Sequence, residues 1–513
     1  MMLNPLRQQA PIQQDQSSSL VRVAHGSALI FISTFFGLGL NFLHSIVLAR
    51  ALNAERFGLY ALGLATFNVL SVISVAGLDR AILRFVPAVS LHSQTPPARS
   101  VVKIITGISA GIGGVIGLGL LALSSSLSMQ VFHKIELTPV LILFSFAIPL
   151  FAISTILLST LQALQDVRWR VFVKYGCEPV IKFATTVALL WMGWDVFGAL
   201  IAFIIALCVT VVLAVIPLYR HFLPCSPSFS HKENTAEVIR YSIPLLGSLV
   251  FASLSNRSDI LVLGYWVPTE SIGIYSAAFQ TASIIALILG SLDSVATPFI
   301  SQAIATGNQP YLQRLLRTVL RWSVTISLPV FLVMAFFPRE ILSIFGDRFA
   351  EGALCLVILA ISQMVNAVSG SASNVLLLAG YSRLAMWNSI SMGLIQIGFN
   401  VTLIPLYGIT GAAIGTAAAF ILLSIVRLLE CSMLLKLTLI NGTIWKPLFA
   451  GFISSILLLA LNSSNLSMGL AVMLAALFAT YFLCLTLLGL DGDDQFILIQ
   501  LKDKMRRYVG VKL

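Results

Sequence analysis

Charge is the scarcest feature of this chain. Only 10% of its 513 residues are Asp, Glu, Lys or Arg, against 58% apolar types. A soluble domain carries about 25% charged residues, so this surface could not be covered with groups that face water. A mean hydropathy of +0.96 agrees, and a soluble globular protein is excluded. Long hydrophilic stretches are missing too: the largest are the two tails and the loops near 80–103, 219–240 and 298–318. None is long enough for a separate soluble domain. Residues 1–25 are rich in Gln and Ser and lack the charged start, apolar core and cleavage site of a signal peptide. They read as a disordered cytoplasmic tail. The six Cys (177, 208, 225, 355, 431 and 484) are scattered, with no metal-site or disulfide spacing. Catalytic signatures are also missing: there is no Gly-x-Ser-x-Gly, no His-Glu-x-x-His and no phosphate-cradling Gly loop. An enzyme is not expected.

What is present is a succession of apolar runs. A helix needs about 20 apolar residues to cross a bilayer, and such runs recur from Gly26 to Leu490. They are too long and too evenly apolar for membrane strands, which alternate over ~10 residues. Fourteen spans are expected, at about 26–49, 59–79, 104–127, 139–161, 174–193, 196–218, 241–266, 272–292, 319–337, 352–379, 385–405, 408–429, 447–462 and 468–490. The net charge of +11 is distributed as membrane topology, not as a nucleic-acid surface. With the N-terminus inside, 24 of the 31 Lys and Arg fall on inner segments. Five fall outside (Arg50, Arg56, Lys134, Arg339 and Arg348), and Lys182 and Arg257 lie within spans. That is the positive-inside bias, and it places both tails in the cytoplasm. The C-terminal tail has apolar residues at helical spacing beside Lys and Arg. Two readings fit it: a helix lying on the inner membrane face, or a short solvated helix.

An internal repeat organises the spans. Gly58-Leu59-Tyr60 matches Gly273-Ile274-Tyr275 at an offset of 215, where Asn41 falls on Asn256 and His44 on Asp259. Trp194 to Ala199 matches Tyr407 to Ala412 at an offset of 213. The expected fold is therefore all-α and polytopic, with two pseudo-symmetric six-helix lobes and two further C-terminal helices. The boundaries are a tail at 1–25, an N-lobe at 26–240, a C-lobe at 241–437, spans thirteen and fourteen at 438–490 and a tail at 491–513. An even number of spans gives both copies one orientation, so their axis runs along the membrane normal and the cavity lies between them.

Intramembrane ionisable groups cost ~2.5–3.5 kcal/mol on the insertion scale and usually face a bundle interior or water. Arg257 lies 16 residues past Tyr241, roughly 24 Å along the helix. It reads as a cavity cation, or as a snorkelling residue near the outer interface. Asp259 is about 200° further round the helix. It serves the cavity, bonds within its own lobe, or takes a proton. Glu178 and Lys182 have the order and spacing of an intrahelical pair, and Lys182 is the second candidate cavity cation. His44 and Asn41 share a face of span one, as cavity residues or as packed, hydrogen-bonded ones. Arg80 and Arg84 are one turn apart at the cytoplasmic entrance. They can clamp an anion or simply supply inner positive charge. Asp293 is expected at a helix end or gate. The glycines of span three, Gly107 to Gly119, read as helix packing. Pro149, Pro179, Pro244 and Pro329 are candidate kinks.

Three stretches carry a resemblance. ALNAERFGLYALGLATFNVLSVISVAGLDRAILRFVP, SIPLLGSLVFASLSNRSDILVLGYWVPTESIGIYSAAFQ and FNVTLIPLYGITGAAIGTAAAF together resemble lipid-linked oligosaccharide flippases. These are the polysaccharide exporters of the multidrug/oligosaccharidyl-lipid/polysaccharide transporter superfamily. The resemblance covers about residues 26–440. It implies alternating access in the bacterial inner membrane, with undecaprenyl-diphosphate-linked oligosaccharide flipped from inner to outer leaflet and cationic cavity residues meeting the diphosphate. O-antigen, exopolysaccharide, capsule and teichoic-type precursors all fit. The implied partners are the lipid-linked oligosaccharide, membrane lipids and the polysaccharide polymerase machinery, with no nucleic acid. No cofactor is expected. Proton-coupled, sodium-coupled and uncoupled transport stay open, with His44, Asp259 and Glu178 able to take a proton. A drug/cation antiporter of the same superfamily is the alternative, using Asp259 and Glu178 as cavity carboxylates. A membrane glycan polymerase or ligase ranks below both, because the longest outer turn, about Pro338 to Glu351, is short.

Overall fold

The computed structural model describes residues 10–92, 98–221, 232–369, 371–438, 442–463 and 469–489. Among them there is no strand. The α-helices in chain order are α1 (Ala10–Val75), α2 (Leu78–His92), α3 (Ala98–Ser126), α4 (Leu137–Ala163), α5 (Val167–Val171), α6 (Glu178–Trp191), α7 (Val196–His221) and α8 (Lys232–Trp266). They continue with α9 (Thr269–Ala305), α10 (Gln309–Phe336), α11 (Pro338–Ser343), α12 (Ala353–Ser369), α13 (Ala372–Leu378), α14 (Ser382–Leu434), α15 (Trp445–Ser463) and α16 (Leu470–Leu488). Nine helical stretches among the described residues are long and apolar enough to cross a membrane. The all-α polytopic architecture is thus established.

The chain turns at matching places in its two halves. Helix α1 is broken at Asn53, which takes φ 63° and ψ 170°. Asn tolerates positive φ better than most residues. The position 215 further on is Pro268, which separates α8 from α9 in an extended conformation (φ −59°, ψ 155°). Proline ends one helix and opens the next. Helix α14 is broken at Gly408 (φ 57°, ψ −131°), a conformation open to glycine alone. Its counterpart is the turn at residues 192–195 between α6 and α7. The same reversal is thus produced by different residues in each copy.

Packing differs between the two ends of the bundle. At the end holding Asn53, Pro268 and Gly408, one buried cluster joins residues of both halves, including Leu48, Phe57, Phe144, Ile260, Tyr275 and Phe349. At the other end the buried clusters separate. Val75, Ile82, Ile105 and Ile156 pack together in the first half, and Ile300, Leu316, Val324 and Val375 in the second. Helices α15 and α16 pack against α10 through Leu328, Leu332, Leu458 and Tyr481.

Several local expectations change. The stretch from Ala10 to His25 is helical, not disordered. Pro11 sits in the first turn, where its missing N–H costs nothing, and no Gly or Pro follows before Gly26. The loop expected at 298–318 is helix apart from a turn of Thr306, Gly307 and Asn308; the Asn308 side chain accepts from the Tyr311 N–H at 3.1 Å. Asp293 therefore lies inside α9, not at its end. It accepts hydrogen bonds from Ser371 Oγ and from Asn374 Nδ2 (3.1 Å), tying α9 to α13. Pro149 and Pro329 lie within continuous helices, and Pro179 sits in the first turn of α6. The C-terminal tail lies outside the described residues.

Candidate functional site

Between the halves lies a cavity of about 330 Å³. Helix α1 contributes Asn41 and His44, α6 contributes Lys182, α8 contributes Arg257, and α9 contributes Gln280. One cation thus comes from each half. Among the described residues, no Asp or Glu lines the cavity.

Lys182 is held in place from α1. Its ammonium donates to Asn41 Oδ1, and Asn41 Nδ2 donates to the Gly37 carbonyl one turn back at 2.8 Å. The expected Glu178–Lys182 pair is not formed. Glu178 instead accepts from Lys174 Nζ at 2.8 and 3.0 Å and lies 3.4 Å from the Thr210 hydroxyl. Lys174 and Lys182 both stand four residues from Glu178; Lys174 takes the carboxylate, and Lys182 is taken by Asn41 of α1. His44 is 3% exposed, and its Nε2 meets Thr186 Oγ1 at 3.0 Å, again joining α1 to α6.

The second half repeats this stitching with different chemistry. His44 and Thr186 are 142 residues apart, as are Ser258 and Asn400, whose Nδ2 donates to Ser258 Oγ at 3.3 Å. So α8 is joined to α14 where α1 is joined to α6. Asp259 does not line the cavity, against the expectation that it could. It is 1% exposed. Tyr275 Oη donates to its Oδ2 at 2.7 Å, and the Ile260 amide donates to its Oδ1 at 2.8 Å. Tyr275 also lies 3.4 Å from Thr416 Oγ1. A buried carboxylate requires such partners, and here they come from its own half. The offset of about 200° between Arg257 and Asp259 is what points one toward the cavity and the other into the lobe.

Arg80 and Arg84 are exposed and not part of the cavity wall. Arg80 Nε lies 3.5 Å from its neighbour Asp79, and the Arg84 guanidinium sits 5.6 Å from the Phe85 ring. The polar stripe of α9 was missed in the sequence: Ser276, Gln280 and Ser283 all line the cavity. Their i, i+4, i+7 spacing within an apolar helix marks one face and was there to be read.

Comparisons with known proteins place this geometry. The polysaccharide biosynthesis protein family matches residues 23–304, and the MatE family matches residues 244–402. A probable low-salt glycan biosynthesis flippase of Haloferax volcanii, Agl15, is 25% identical over 410 residues, covering 78% of this chain and 81% of its own. Stage V sporulation protein B of Bacillus subtilis is 22% identical over 500 residues, covering 89% of this chain and 93% of its own. Among solved structures, the lipid II flippase MurJ in an inward closed conformation superposes with a TM-score of 0.72 at 15% identity. The match covers 90% of this chain and 98% of MurJ. An inward-facing multidrug resistance MATE family transporter of the MOP superfamily superposes with a TM-score of 0.61 at 16% identity, covering 80% and 98%. At these identities the superpositions speak to the fold.

Proposed function

The chain belongs to the polysaccharide biosynthesis protein family, and from that premise we propose that it is a flippase for an anionic, lipid-linked oligosaccharide. The substrate class is an undecaprenyl-diphosphate-linked glycan, carried from the inner to the outer leaflet of a bacterial inner membrane by alternating access. The observation that carries this reading is the pair of cavity cations, Lys182 from one half and Arg257 from the other. A diphosphate leaving water needs charge-assisted partners, and in a low-dielectric cavity these are worth more than at a surface. Because the cations sit on opposite lobes, one bound anion would touch both and could couple their movement.

The architecture of the proposal is fourteen crossings with both tails cytoplasmic, the lobes at 26–240 and 241–437, and two added spans at 438–490. All fourteen expected segments fall mainly on helix. The glycan polymerase machinery is a proposed neighbour in the membrane. Flippase relatives and flippase-like architecture favour a transporter over an enzyme.

The second reading, a drug/cation antiporter, is favoured by the MatE match and the MATE superposition. The cavity argues against it. Among the described residues its wall carries two cations and no carboxylate, so an organic cation would meet like charge. Deletion of the gene followed by analysis of lipid-linked oligosaccharides separates the two. The flippase reading expects an undecaprenyl-linked glycan to accumulate on the inner leaflet. Unchanged amounts and sidedness of every such glycan, together with a gain in drug sensitivity, would move the assignment to the antiporter.

A further inference from the structure

The two repeats come into close backbone contact at a pair of glycines. Gly58 and Gly273 occupy the same position in each copy, and they face each other across the pseudo-symmetry axis. A Cβ on Gly58 would overlap the Thr269 carbonyl oxygen, and a Cβ on Gly273 would overlap that of Ala54. Thr269 and Ala54 are themselves repeat counterparts, so the contact is reciprocal, like an isologous interface. Two edge-to-face ring pairs flank it, Phe42–Phe345 and Phe57–Phe349, each with centroids 5.8 Å apart. Two cations of the first half then reach across to the second. Arg50 Nε donates to the Ile344 carbonyl at 2.7 Å. Lys134 Nζ donates to the Gly264 carbonyl at 2.6 Å and to Phe132 O at 3.1 Å. Gly264 lies in the last turn of α8, where carbonyls have no intrahelical partner and the helix dipole favours a cation.

We propose that Lys134 and Arg50 are the latches of the outer gate, holding the lobes together at the Gly58–Gly273 contact until substrate is released outward. Both cations belong to the five that the charge count places outside, so their positive charge there has a use beyond topology. The apolar cluster and the glycine contact close the gate by shape. The two cations bond backbone carbonyls of the opposite half, so they resist separation of the lobes while leaving each lobe's own packing intact. This rests on the transport reading for its meaning, but the closure can be measured without substrate.

The test uses the full chain in nanodiscs, with its native cysteines replaced and spin labels at Glu55→Cys and Arg339→Cys, one in each half. Distance distributions are compared among the background, Lys134→Met, Arg50→Gln, the double variant and Lys103→Met, which changes a charge on the inner side. A charge-assisted bond shifts a two-state equilibrium by roughly tenfold or more. The longer-distance population should therefore grow relative to the shorter by at least that factor in the double variant, and not in Lys103→Met. An unchanged distribution in a monodisperse double variant overturns the latch. If Lys134→Met fails to fold, Arg50→Gln alone carries the test under the same criterion. Flipping of an undecaprenyl-diphosphate glycan is assayed separately. A gate that responds in a protein that flips no such glycan refutes the substrate assignment and leaves the latch standing.

Discussion

Replacing Lys182 and Arg257, singly and together, tests the cavity most directly. Lys182→Met keeps the length of the side chain and removes the charge. In the resting cavity it leaves Asn41 Oδ1 without its donor, a loss of about 1–3 kcal/mol. No longer burying an ammonium group offsets that loss. The stability change should therefore be small, and protein should accumulate normally. Transport is another matter. A charge-assisted bond to phosphate contributes about 1.5–3 kcal/mol, and 1.4 kcal/mol is tenfold, so each single variant should lose about 10- to 150-fold in flipping. If both cations hold one diphosphate, the double variant should fall by less than the product of the singles, because neither acts independently. Lys182→Arg should recover part of the activity. The assay is headgroup accessibility of an undecaprenyl-diphosphate glycan in liposomes reconstituted with each variant at matched protein density. Flipping within twofold of the parent in both single variants would reduce Lys182 and Arg257 to structural charges and end the reasoning.

Other consequences are equally open to measurement. Tyr275→Phe removes the hydroxyl bonded to Asp259 Oδ2 and should destabilise the second half by about 1–3 kcal/mol; an unchanged thermal unfolding midpoint in detergent would contradict the buried carboxylate network. Gly273→Val places a branched side chain against the Ala54 carbonyl and should force the halves apart or abolish folding, whereas a monodisperse variant with parental label distances would rule out the close contact. Cysteines at Trp194 and Tyr407 should react with an impermeant reagent added outside, and cysteines at Arg168 and Arg383 only after permeabilisation; the reverse pattern at either pair would overturn the topology.

The expectations that failed share a cause: each depended on which of several nearby groups a side chain reaches. Glu178 stands four residues from both Lys174 and Lys182, so spacing alone does not choose between them. The carboxylate accepts from Lys174, and Lys182 bonds Asn41, 141 residues away. No local pattern announces a partner at that separation. In the sequence Asp259 stands out as an expensive charge, whereas its partner Tyr275 stands out only as half of a repeat signature. The polar face of α9 is legible from its spacing, although its Ser and Gln residues carry no charge.

By itself, the sequence determined that this chain is a membrane protein of many helices, and it supplied the orientation and the tandem repeat that the proposal uses. Those properties depend on sums over tens of residues: hydropathy against the thickness of a bilayer, and the bias of 24 Lys and Arg against five. Only the tertiary structure decided which charges face the cavity, that Asp259 is enclosed by Tyr275, and that Gly58 and Gly273 meet. Those outcomes depend on single contacts between residues more than a hundred positions apart or on one helical register. A difference of 200° around a helix separates a wall of the cavity from the interior of a lobe.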